Sequence, residues 1–265
     1  MNPFGGASDV PATMDPAAET TPAPPGDASA VPRLSVVIPA YNEEVRLART
    51  LPVILAYLAA RDYAWEVLIV DDGSRDGTAR VAAELGAGHP VRIIRNEPNR
   101  GKGYSIRRGM LEARGAHRLF SDADLSTPIE ELDGFWKHIA AGAAVVIGSR
   151  DMPGSNLERP QPLARELAGR AFNLAVRALV LPGVTDTQCG FKLFKADAAE
   201  AVFSRQRLDG YAFDVEALAL AQRHGFAVVE APVRWIDAPG SKVSMARGAR
   251  AFFDLLPLAL RRISG

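Results

Sequence analysis

Residues 34–44 read LSVVIPAYNEE and decide the fold: a short apolar run, Leu34–Ile38, leads directly into a polar loop. Short runs of the same kind recur at Val67–Val70, Val91–Ile94, Arg118–Phe120 and Ala143–Ile147. Runs without a regular polar alternation are typical of strands that are covered on both faces, as in a parallel sheet. The first half of the chain is therefore predicted to supply five buried strands.

Helical patterns separate these runs, and residues that favour helix starts precede them. Asn42, Asp76 and Thr127 stand at such positions, and the last is followed by Pro128 and two glutamates. The patterns cover about 43–60, 76–85 and 128–140. This alternation predicts an α/β fold with an open, mostly parallel, Rossmann-like sheet flanked by helices.

The second half of the chain is less regular. We predict a helix over about 164–181, a strand over 190–194, a helix over 214–224, a strand near 228–235 and an amphipathic helix over 247–263. No run reaches the roughly 18 apolar residues that a membrane crossing needs, so no transmembrane helix is expected. The whole of 33–265 is predicted to form a single domain.

Residues 1–32 differ in composition from the rest, with seven prolines, four acidic residues and no Lys or Arg. Nothing there repeats at a helical or strand period, so we expect a disordered Pro/Ala-rich tail. The chain has 31 basic and 31 acidic residues in all, which leaves 31 basic and 27 acidic residues after the tail. This small surplus suits a small anionic ligand or a membrane surface and argues against a nucleic-acid partner.

Polar loops follow all five predicted strands, on what should be one edge of the sheet. They contain YNEE (41–44), DDGS (71–74), NRGKG (99–103), DAD (122–124) and GSR (148–150). Turn chemistry alone would explain any one of these loops. Five together indicate a binding site, because ligands bind beyond the carboxyl ends of parallel strands.

Asp122 and Asp124 give the sharpest chemical signal. Two carboxylates one residue apart at a strand end can approach one hard cation, Mg²⁺ or Mn²⁺, whose other ligands are commonly substrate phosphate oxygens. Lys102 lies between two glycines and could reach a pyrophosphate. A solvated turn and a solvated lysine are the alternative interpretation of these features.

Missing motifs exclude several other classes of protein. No P-loop follows a strand, no Gly-x-Gly-x-x-Gly follows the first strand, and there is no Gly-x-Ser-x-Gly elbow. The four histidines lack the spacing of metal ligands. The single cysteine, Cys189, excludes a disulfide framework and is expected to be a buried thiol.

The chain resembles family 2 glycosyltransferases, which have the GT-A fold, in VVIPAYNEE (36–44), VDDGS (70–74), NRGKG (99–103), DADLS (122–126) and GSR (148–150). It is similar to the dolichyl-phosphate β-glucosyltransferase branch, which acts on polyprenyl phosphates, in DTQCGFKLF (186–194), YAFDVE (211–216) and VRWIDAPGSKVS (233–244). The resemblance covers about 33–255. It implies a nucleotide-sugar-binding half, 33–150, and an acceptor half, 151–265.

The resemblance implies a set of residues that bind the nucleotide-sugar donor. They are Pro39, Tyr41, Glu43, Asp71, Asp72, Arg100, Lys102, Asp122, Ala123 and Asp124. Within this set, Asp72 would hydrogen-bond the base, and Asp122 with Asp124 would hold Mg²⁺ or Mn²⁺.

It implies a second set that faces the acceptor or its phosphate. These residues are Arg150, Gln188, Lys192, Ser241 and Lys242, the last two on a loop that closes over the donor. Asp186 would be the acid nearest the reaction centre. The catalytic residues would then be Asp124, Asp186, Arg150 and Lys192.

The reaction implied is an inverting transfer of one hexose, expected to be glucose from UDP-glucose, to a polyprenyl or dolichyl phosphate. The acceptor oxygen is already anionic near neutral pH, so no strong general base is expected. The metal ion, with Lys102, Lys192 and Lys242, would offset the charges of donor and acceptor. A processive synthase is excluded, because Ala231 stands where the Gln of Gln-x-x-Arg-Trp would be.

Members of this branch usually carry a membrane anchor, and none is expected here. Two alternatives therefore stay open: a soluble glycosyltransferase with the same donor and a non-lipid acceptor, and a non-catalytic nucleotide-sugar-binding protein. A sugar nucleotidylyltransferase is discounted, since PAYNEE (39–44) occupies the place of its Gly-rich loop. A cytoplasmic location is expected, with 247–263 as the candidate for peripheral membrane contact.

Overall fold

The computed structural model describes residues 31–159 and 163–237, which contain a seven-stranded sheet and a two-stranded sheet. The strands are β1 (Leu34–Ala40), β2 (Trp65–Asp71), β3 (Val91–Arg95), β4 (His117–Ser121), β5 (Val145–Ser149), β6 (Asn156–Arg159), β7 (Phe191–Lys195), β8 (Val228–Pro232) and β9 (Arg234–Ile236). The helices are α1 (Glu44–Ala59), α2 (Thr78–Gly86), α3 (Lys102–Glu112), α4 (Leu132–Ala140), α5 (Leu163–Leu179), α6 (Ala196–Phe203) and α7 (Phe213–Arg223). A 3-10 turn, Ile129–Glu131, precedes α4.

The main sheet has the strand order β3-β2-β1-β4-β7-β5-β8. Neighbouring strands are parallel except where β7 pairs with β4 and with β5, both antiparallel. The small sheet is the parallel pair of β6 and β9. The prediction of a mostly parallel α/β sheet flanked by helices is confirmed.

Both faces of the sheet are covered, which explains the uninterrupted apolar runs. On β1, Leu34, Val36 and Ile38 pack into one core with residues of α1, α2 and α4. Val37 points the other way, into a second core built with α3, α5, α6 and α7. All four side chains are fully buried, as the two-residue repeat of a strand between two layers requires.

The main sheet takes strands from both parts of the chain that were assigned separate binding roles. β1 to β5 come from 33–150, whereas β7 and β8 come from 151–265. β7 lies between β4 and β5, so the second part contributes a strand to the middle of the sheet. The division between 33–150 and 151–265 is therefore not a division of the sheet.

The sequence pattern does not predict α3, α6 or β6. Helix α3 is hidden because Gly103 and Gly109 interrupt its pattern, and a glycine inside a helix costs about 1 kcal/mol relative to alanine. Both glycines are needed for close packing. A Cβ on Gly109 would lie 2.4 Å from Val37 Cγ1, and one on Gly103 would lie 2.5 Å from the Leu208 carbonyl oxygen.

The single strand predicted near 228–235 is wrong in its extent. The structure divides it into β8 and β9, which belong to different sheets and are separated by Val233. Pro232 at the end of β8 has no N–H to donate to a ladder, which favours a strand end there.

Several predictions fall on residues that the structure does not describe. They are the tail over 1–32 except for its last two residues, the loop residues Ser241 and Lys242, and the helix over 247–263. Among the helices of 31–159 and 163–237, none is both long enough and apolar enough to cross a lipid bilayer.

The packing of α3 on the sheet gives a stability test. We expect Gly109→Ala to lower the free energy of unfolding by about 1–3 kcal/mol, because the added methyl overpacks the core against Val37. Chemical denaturation of the purified protein measures this change. Gly134→Ala in α4 is the matched control: no heavy atom lies within 4 Å of its Cβ position, so it should be neutral or stabilising by up to about 1 kcal/mol. Equal effects of the two substitutions would contradict the packing.

Candidate active site

One edge of the main sheet gathers the loops that contain the predicted site residues. β1, β4 and β5 are parallel and end there at Ala40, Ser121 and Ser149. Antiparallel β7 begins at the same edge, where Phe191 pairs with Ser121. The segment that precedes β7 therefore meets the loops that follow the parallel strands.

The loop after β1 is held to the loop after β2 by hydrogen bonds. Asn42 has a positive φ of 52°. Its N–H donates to Ser74 Oγ at 2.9 Å, and its side-chain oxygen accepts from the N–H of Arg75 at 2.8 Å. The N–H of Glu43 donates to Thr78 Oγ1 at 2.8 Å. These bonds hold the loop of the predicted nucleoside pocket in place.

The predicted pocket residues on this loop differ in exposure. Tyr41 is 36% exposed, and Pro39 is half-buried at the end of β1. The Glu43 carboxylate accepts two hydrogen bonds from Arg46 at 3.1 Å. Contact of these residues with a nucleoside stays a prediction.

Asp71 and Asp72 are buried and hydrogen-bonded to the protein. Asp71 accepts from the N–H of Ser74 at 2.9 Å and pairs with Arg95 at 3.1 Å. The Asp72 carboxylate accepts from Asn96 Nδ2 at 2.9 Å and from the N–H groups of Arg100 and Gly101 at 3.0 and 2.8 Å. Asp72 thus holds the chain that enters α3. A carboxylate accepts about four hydrogen bonds, and Asp72 already accepts three, so about one acceptor position is left for a nucleobase.

Asp122 follows β4, and its position depends on Gly190. The N–H of Asp122 donates to the carbonyl of Gly190 at 3.1 Å. A Cβ on residue 190 would lie 2.1 Å from Asp122 Oδ2, so a side chain there would displace the carboxylate. Lys102 at the start of α3 pairs with Asp122 Oδ1 at 2.6 Å. The structure therefore brings three separate motifs together at Asp122.

Asp124 lies in the turn that follows, close to Asp122. Its carboxylate accepts from the N–H of Ser126 at 3.0 Å, and the carbonyl of Ala123 between the two acids accepts from Thr50 Oγ1 at 2.8 Å. Burial raises the pKa of Asp124, and repulsion from Asp122 raises it further. Two carboxylates that repel each other are a place where a cation is favoured.

Half-buried Arg150 and fully buried Asp186 form a bidentate pair at the same edge. Arg150 donates from Nε at 2.7 Å, from Nη2 at 2.9 Å and from its own N–H at 3.0 Å. The N–H of Gln188 donates to the same carboxylate at 3.1 Å. Burial alone would raise the pKa of Asp186, but the charge and hydrogen bonds of Arg150 outweigh it and hold the pKa below the ordinary value. Asp186 is therefore a poor proton acceptor.

Glu230 on β8 holds the backbone that carries Asp186. Its carboxylate accepts from the N–H of Thr185 at 2.8 Å, from Thr185 Oγ1 at 2.6 Å and from the N–H of Asp186 at 3.0 Å. A lone glutamate in the otherwise apolar stretch VVEAP (228–232) was the signal that could have revealed it. The sequence also did not reveal Gly190 and Asp214 as site residues, although they lie in the motifs DTQCGFKLF (186–194) and YAFDVE (211–216).

Lys192, predicted to face the acceptor, is held by contacts inside the protein. Its side chain is fully buried on β7, and its ammonium donates to the Cys189 carbonyl at 2.6 Å and to the Asp214 carboxylate. The ammonium also lies 5.0 Å from the centre of the Phe120 ring. On β7 the side chains alternate between the two faces of the sheet, and Lys192 lies on the face of Phe194 and its core. Contact of Lys192 with an acceptor stays a prediction. Cys189 is a buried free thiol, as predicted.

The residues present fit a divalent cation that shares its coordination with a substrate. Asp122 and Asp124 offer the oxygen donors that Mg²⁺ and Mn²⁺ prefer, and a lysine ammonium already neutralises Asp122. Within 31–159 and 163–237 no group of three or more His, Cys, Asp or Glu could hold a metal ion. Two carboxylates need further ligands, which substrate phosphate oxygens and water commonly supply.

A family model named glycosyl transferase family 2 matches residues 35–203. Because it covers more than half of the chain, the chain belongs to this family. It is a nucleotide-sugar-dependent glycosyltransferase with the GT-A fold.

Within this family, the chain is similar to proteins that share one enzyme name. The chain is 36% identical over 248 residues to the dolichyl-phosphate beta-glucosyltransferase of Homo sapiens, which covers 88% of this chain and 76% of the human protein. It is 34% identical over 232 residues to the enzyme of that name from Saccharomyces cerevisiae, with 80% of this chain and 70% of the yeast protein covered.

Solved structures of lower identity share the fold. Glucosyl-3-phosphoglycerate synthase from Mycobacterium tuberculosis, in complex with Mn²⁺, UDP and glucosyl-3-phosphoglycerate, matches with a TM-score of 0.65 at 20% identity, over 86% of this chain and 80% of that one. Mannosyl-3-phosphoglycerate synthase from Rubrobacter xylanophilus matches with a TM-score of 0.68 at 20% identity, over 88% and 75%.

The contact between Gly190 and Asp122 can be tested by substitution. We expect Gly190→Ala to lower the sugar-transfer rate by about 100-fold, because the methyl group displaces the Asp122 carboxylate and misplaces the charges around it. Steady-state kinetics and circular dichroism would show lost transfer with the secondary structure retained. Gly169→Ala in α5, where no heavy atom lies within 4 Å, should keep the full rate. An active Gly190→Ala enzyme would contradict the role of this contact.

The Arg150–Asp186 pair predicts a pH dependence of stability. We expect Asp186→Asn to lower the free energy of unfolding by about 3 kcal/mol at pH 7, since it leaves a mostly buried guanidinium without its counter-charge. The folded-state pKa of Asp186 is depressed, so its contribution is present above about pH 4, the ordinary carboxyl pKa, and is lost as the pH falls further. Denaturation at pH 3–8 should show the gap between wild type and variant shrinking only below about pH 4. A gap that stays constant to pH 3 would contradict this.

Proposed function

We propose that this protein transfers a single glucose from UDP-glucose to a polyprenyl phosphate of the dolichyl type, with inversion at the anomeric carbon. The observation that supports this most is the arrangement of two carboxylates, Asp122 and Asp124, one residue apart at the ligand-binding edge of a GT-A sheet, with Lys102 paired to Asp122. The relatives of about 35% identity bear the name dolichyl-phosphate beta-glucosyltransferase, which supports this sugar and this acceptor.

The donor binds at the loops after β1, β2 and β4. Pro39, Tyr41 and Glu43 line the nucleoside, and Asp72, with Asp71 beside it, accepts a hydrogen bond from the base. Arg100 and Lys102 flank the diphosphate. Arg100 lies with its guanidinium 4.2 Å from the centre of the Tyr104 ring, which limits its conformations.

Asp122 and Asp124 would hold Mg²⁺ or Mn²⁺ together with the donor diphosphate. Such an ion neutralises the charge that builds up on the leaving UDP. Ala123 keeps the two carboxylates one residue apart, and its carbonyl bond to Thr50 fixes the turn against α1. The Mn²⁺ complex of the Mycobacterium tuberculosis synthase supports a divalent ion in this fold without deciding between the two metals.

The acceptor oxygen attacks the anomeric carbon as an anion and needs no deprotonation. This suits the site, because Asp186, the acid expected nearest the reaction centre, is fully buried and is held ionised by Arg150. Arg150 keeps 21% of its side chain exposed, and together with Gln188 it meets the acceptor phosphate. Direct attack on an α-linked donor gives a β-linked product. Asp186 acts in this scheme by positioning Arg150.

A lipid acceptor places the reaction at a membrane surface, on its cytoplasmic face. The segments expected to contribute there are the donor-closing residues Ser241 and Lys242 and the basic amphipathic stretch 247–263.

The experiment is a transfer assay with radiolabelled UDP-glucose, a short-chain prenyl phosphate and Mn²⁺. We expect labelled glucosyl prenyl phosphate with a β linkage by NMR, and loss of product with EDTA. Matched reactions contain 3-phosphoglycerate or a simple alcohol as the acceptor, or UDP-mannose as the donor. Equal turnover of a non-lipid acceptor would point to the alternative acceptor class, and binding of UDP-glucose without any turnover would point to a non-catalytic protein.

Asp124 provides the variant test of this proposal. We expect Asp124→Asn to lower the transfer rate at least about 100-fold, because an electrostatic contact to the developing charge is lost. Its stability should stay equal or rise, since the raised pKa shows that the folded state disfavours a carboxylate there. Transfer kinetics and denaturation are measured on the same preparation. Retention of the full rate would contradict the assignment.

A further inference from the structure

Two ion pairs lie at and below the ligand-binding edge of the main sheet: Asp122 with Lys102, and Asp214 with Lys192. The outer pair, Asp122 and Lys102, is joined at 2.6 Å, and the two side chains are 34% and 24% exposed. The inner pair is more deeply buried, with Asp214 5% exposed and Lys192 fully buried. The most exposed of the four side chains is Asp122, a carboxylate proposed to hold the metal ion.

Lys102 occupies a position that disfavours a cation unless carboxylates lie nearby. It is the first residue of α3, and the positive end of the helix dipole disfavours a cation there. Burial also disfavours the ammonium, but Asp122 and Asp214 outweigh burial and raise the pKa of Lys102. The ammonium contacts the Asp122 carboxylate directly, at 2.6 Å.

The backbone fixes the place of this ammonium. The N–H of Gly101 donates to Asp72 at 2.8 Å, and the N–H of Gly103 donates to the Asp209 carbonyl at 2.8 Å. A Cβ on Gly101 would lie 2.5 Å from that same carbonyl oxygen, so the start of α3 packs tightly against the segment before α7. That segment leads into Phe213 and Asp214, and the Lys102 ammonium lies 6.0 Å from the centre of the Phe213 ring, next to Asp214 in the chain.

We propose that Lys102 is a resident counter-cation that competes with the divalent ion for Asp122, and that Asp214 positions it by offering a second carboxylate. The geometry carries this inference, because the ammonium already contacts Asp122 Oδ1. It rests on the proposed function, since it assumes that Asp122 and Asp124 hold the ion.

The consequence is a coupling between metal and donor. Without a nucleotide, a divalent ion at Asp122 must repel or displace the ammonium, so it binds weakly. A donor diphosphate adds negative charge and gives Lys102 another partner, so the ion and the donor bind better together than apart. The arrangement keeps Asp122 neutralised between turnovers.

The test measures Mn²⁺ binding to the full chain without nucleotide, from the electron paramagnetic resonance signal of free Mn²⁺. We expect Lys102→Met to bind Mn²⁺ about tenfold more tightly than wild type. Lys137→Met on α4 is the control, an exposed lysine with the same loss of charge, and it should not change the affinity. Asp214→Asn should bind Mn²⁺ more weakly than wild type, because the ammonium is left with Asp122 as its partner.

Lys102→Met should tighten Mn²⁺ binding, whereas Asp214→Asn should weaken it. A merely structural role for the two residues would weaken Mn²⁺ binding in both variants. If Asp214→Asn does not fold, the double variant Lys192→Met/Asp214→Asn carries the test, since it leaves no buried lysine without a counter-charge. Added UDP should tighten Mn²⁺ binding more in wild type than in Lys102→Met.

These measurements distinguish a failure of the Lys102 inference from a failure of the proposed metal site. Binding of Mn²⁺ that depends on Asp124 but is unchanged or weaker in Lys102→Met would overturn this inference and leave the metal site standing. Binding that is undetectable with UDP, or indifferent to Asp124→Asn, would overturn the metal site of the proposed function and this inference with it.

Discussion

The antiparallel strand β7 sits between parallel β4 and β5, and the site depends on that insertion. It carries the segment 186–190 to the edge where the parallel strands end. There Gly190 meets Asp122, with no space for a side chain between them. A sheet built from the first half alone would present Asp122 and Lys102 but would lack the Asp186–Arg150 pair.

The site is an arrangement of charges that are largely removed from water. Isolated buried charges are costly, and each one here has an opposite charge beside it: Asp122 with Lys102, Asp186 with Arg150, and Asp214 with Lys192. Such pairs add little net stability compared with an apolar core, but removal of one partner is expensive. Their value here is positional, because each pair holds the side chains of both partners in one place.

Backbone hydrogen bonds to buried or half-buried carboxylates fix the loops themselves. Asp72 holds the entry to α3, Glu230 holds Thr185 and Asp186, and Glu216 accepts from the N–H groups of Arg207 and Leu208. Loops at a ligand-binding edge have few apolar contacts of their own. A buried carboxylate that accepts several N–H groups gives them one defined conformation, which is the preorganisation that electrostatic catalysis requires.

The sequence by itself determined the parallel sheet, since uninterrupted apolar strands can be buried only between two layers, and it determined which loops share the binding edge. It also picked out Asp122, Asp124 and Lys102 by their place after strands. Only the tertiary structure decided that Lys192 points into the core, that Gly103 and Gly109 belong to a helix, and that Asp214 and Glu230 support the site. These outcomes depend on contacts between residues far apart along the chain, where the neighbour that fills a space or balances a charge leaves no mark on the local pattern.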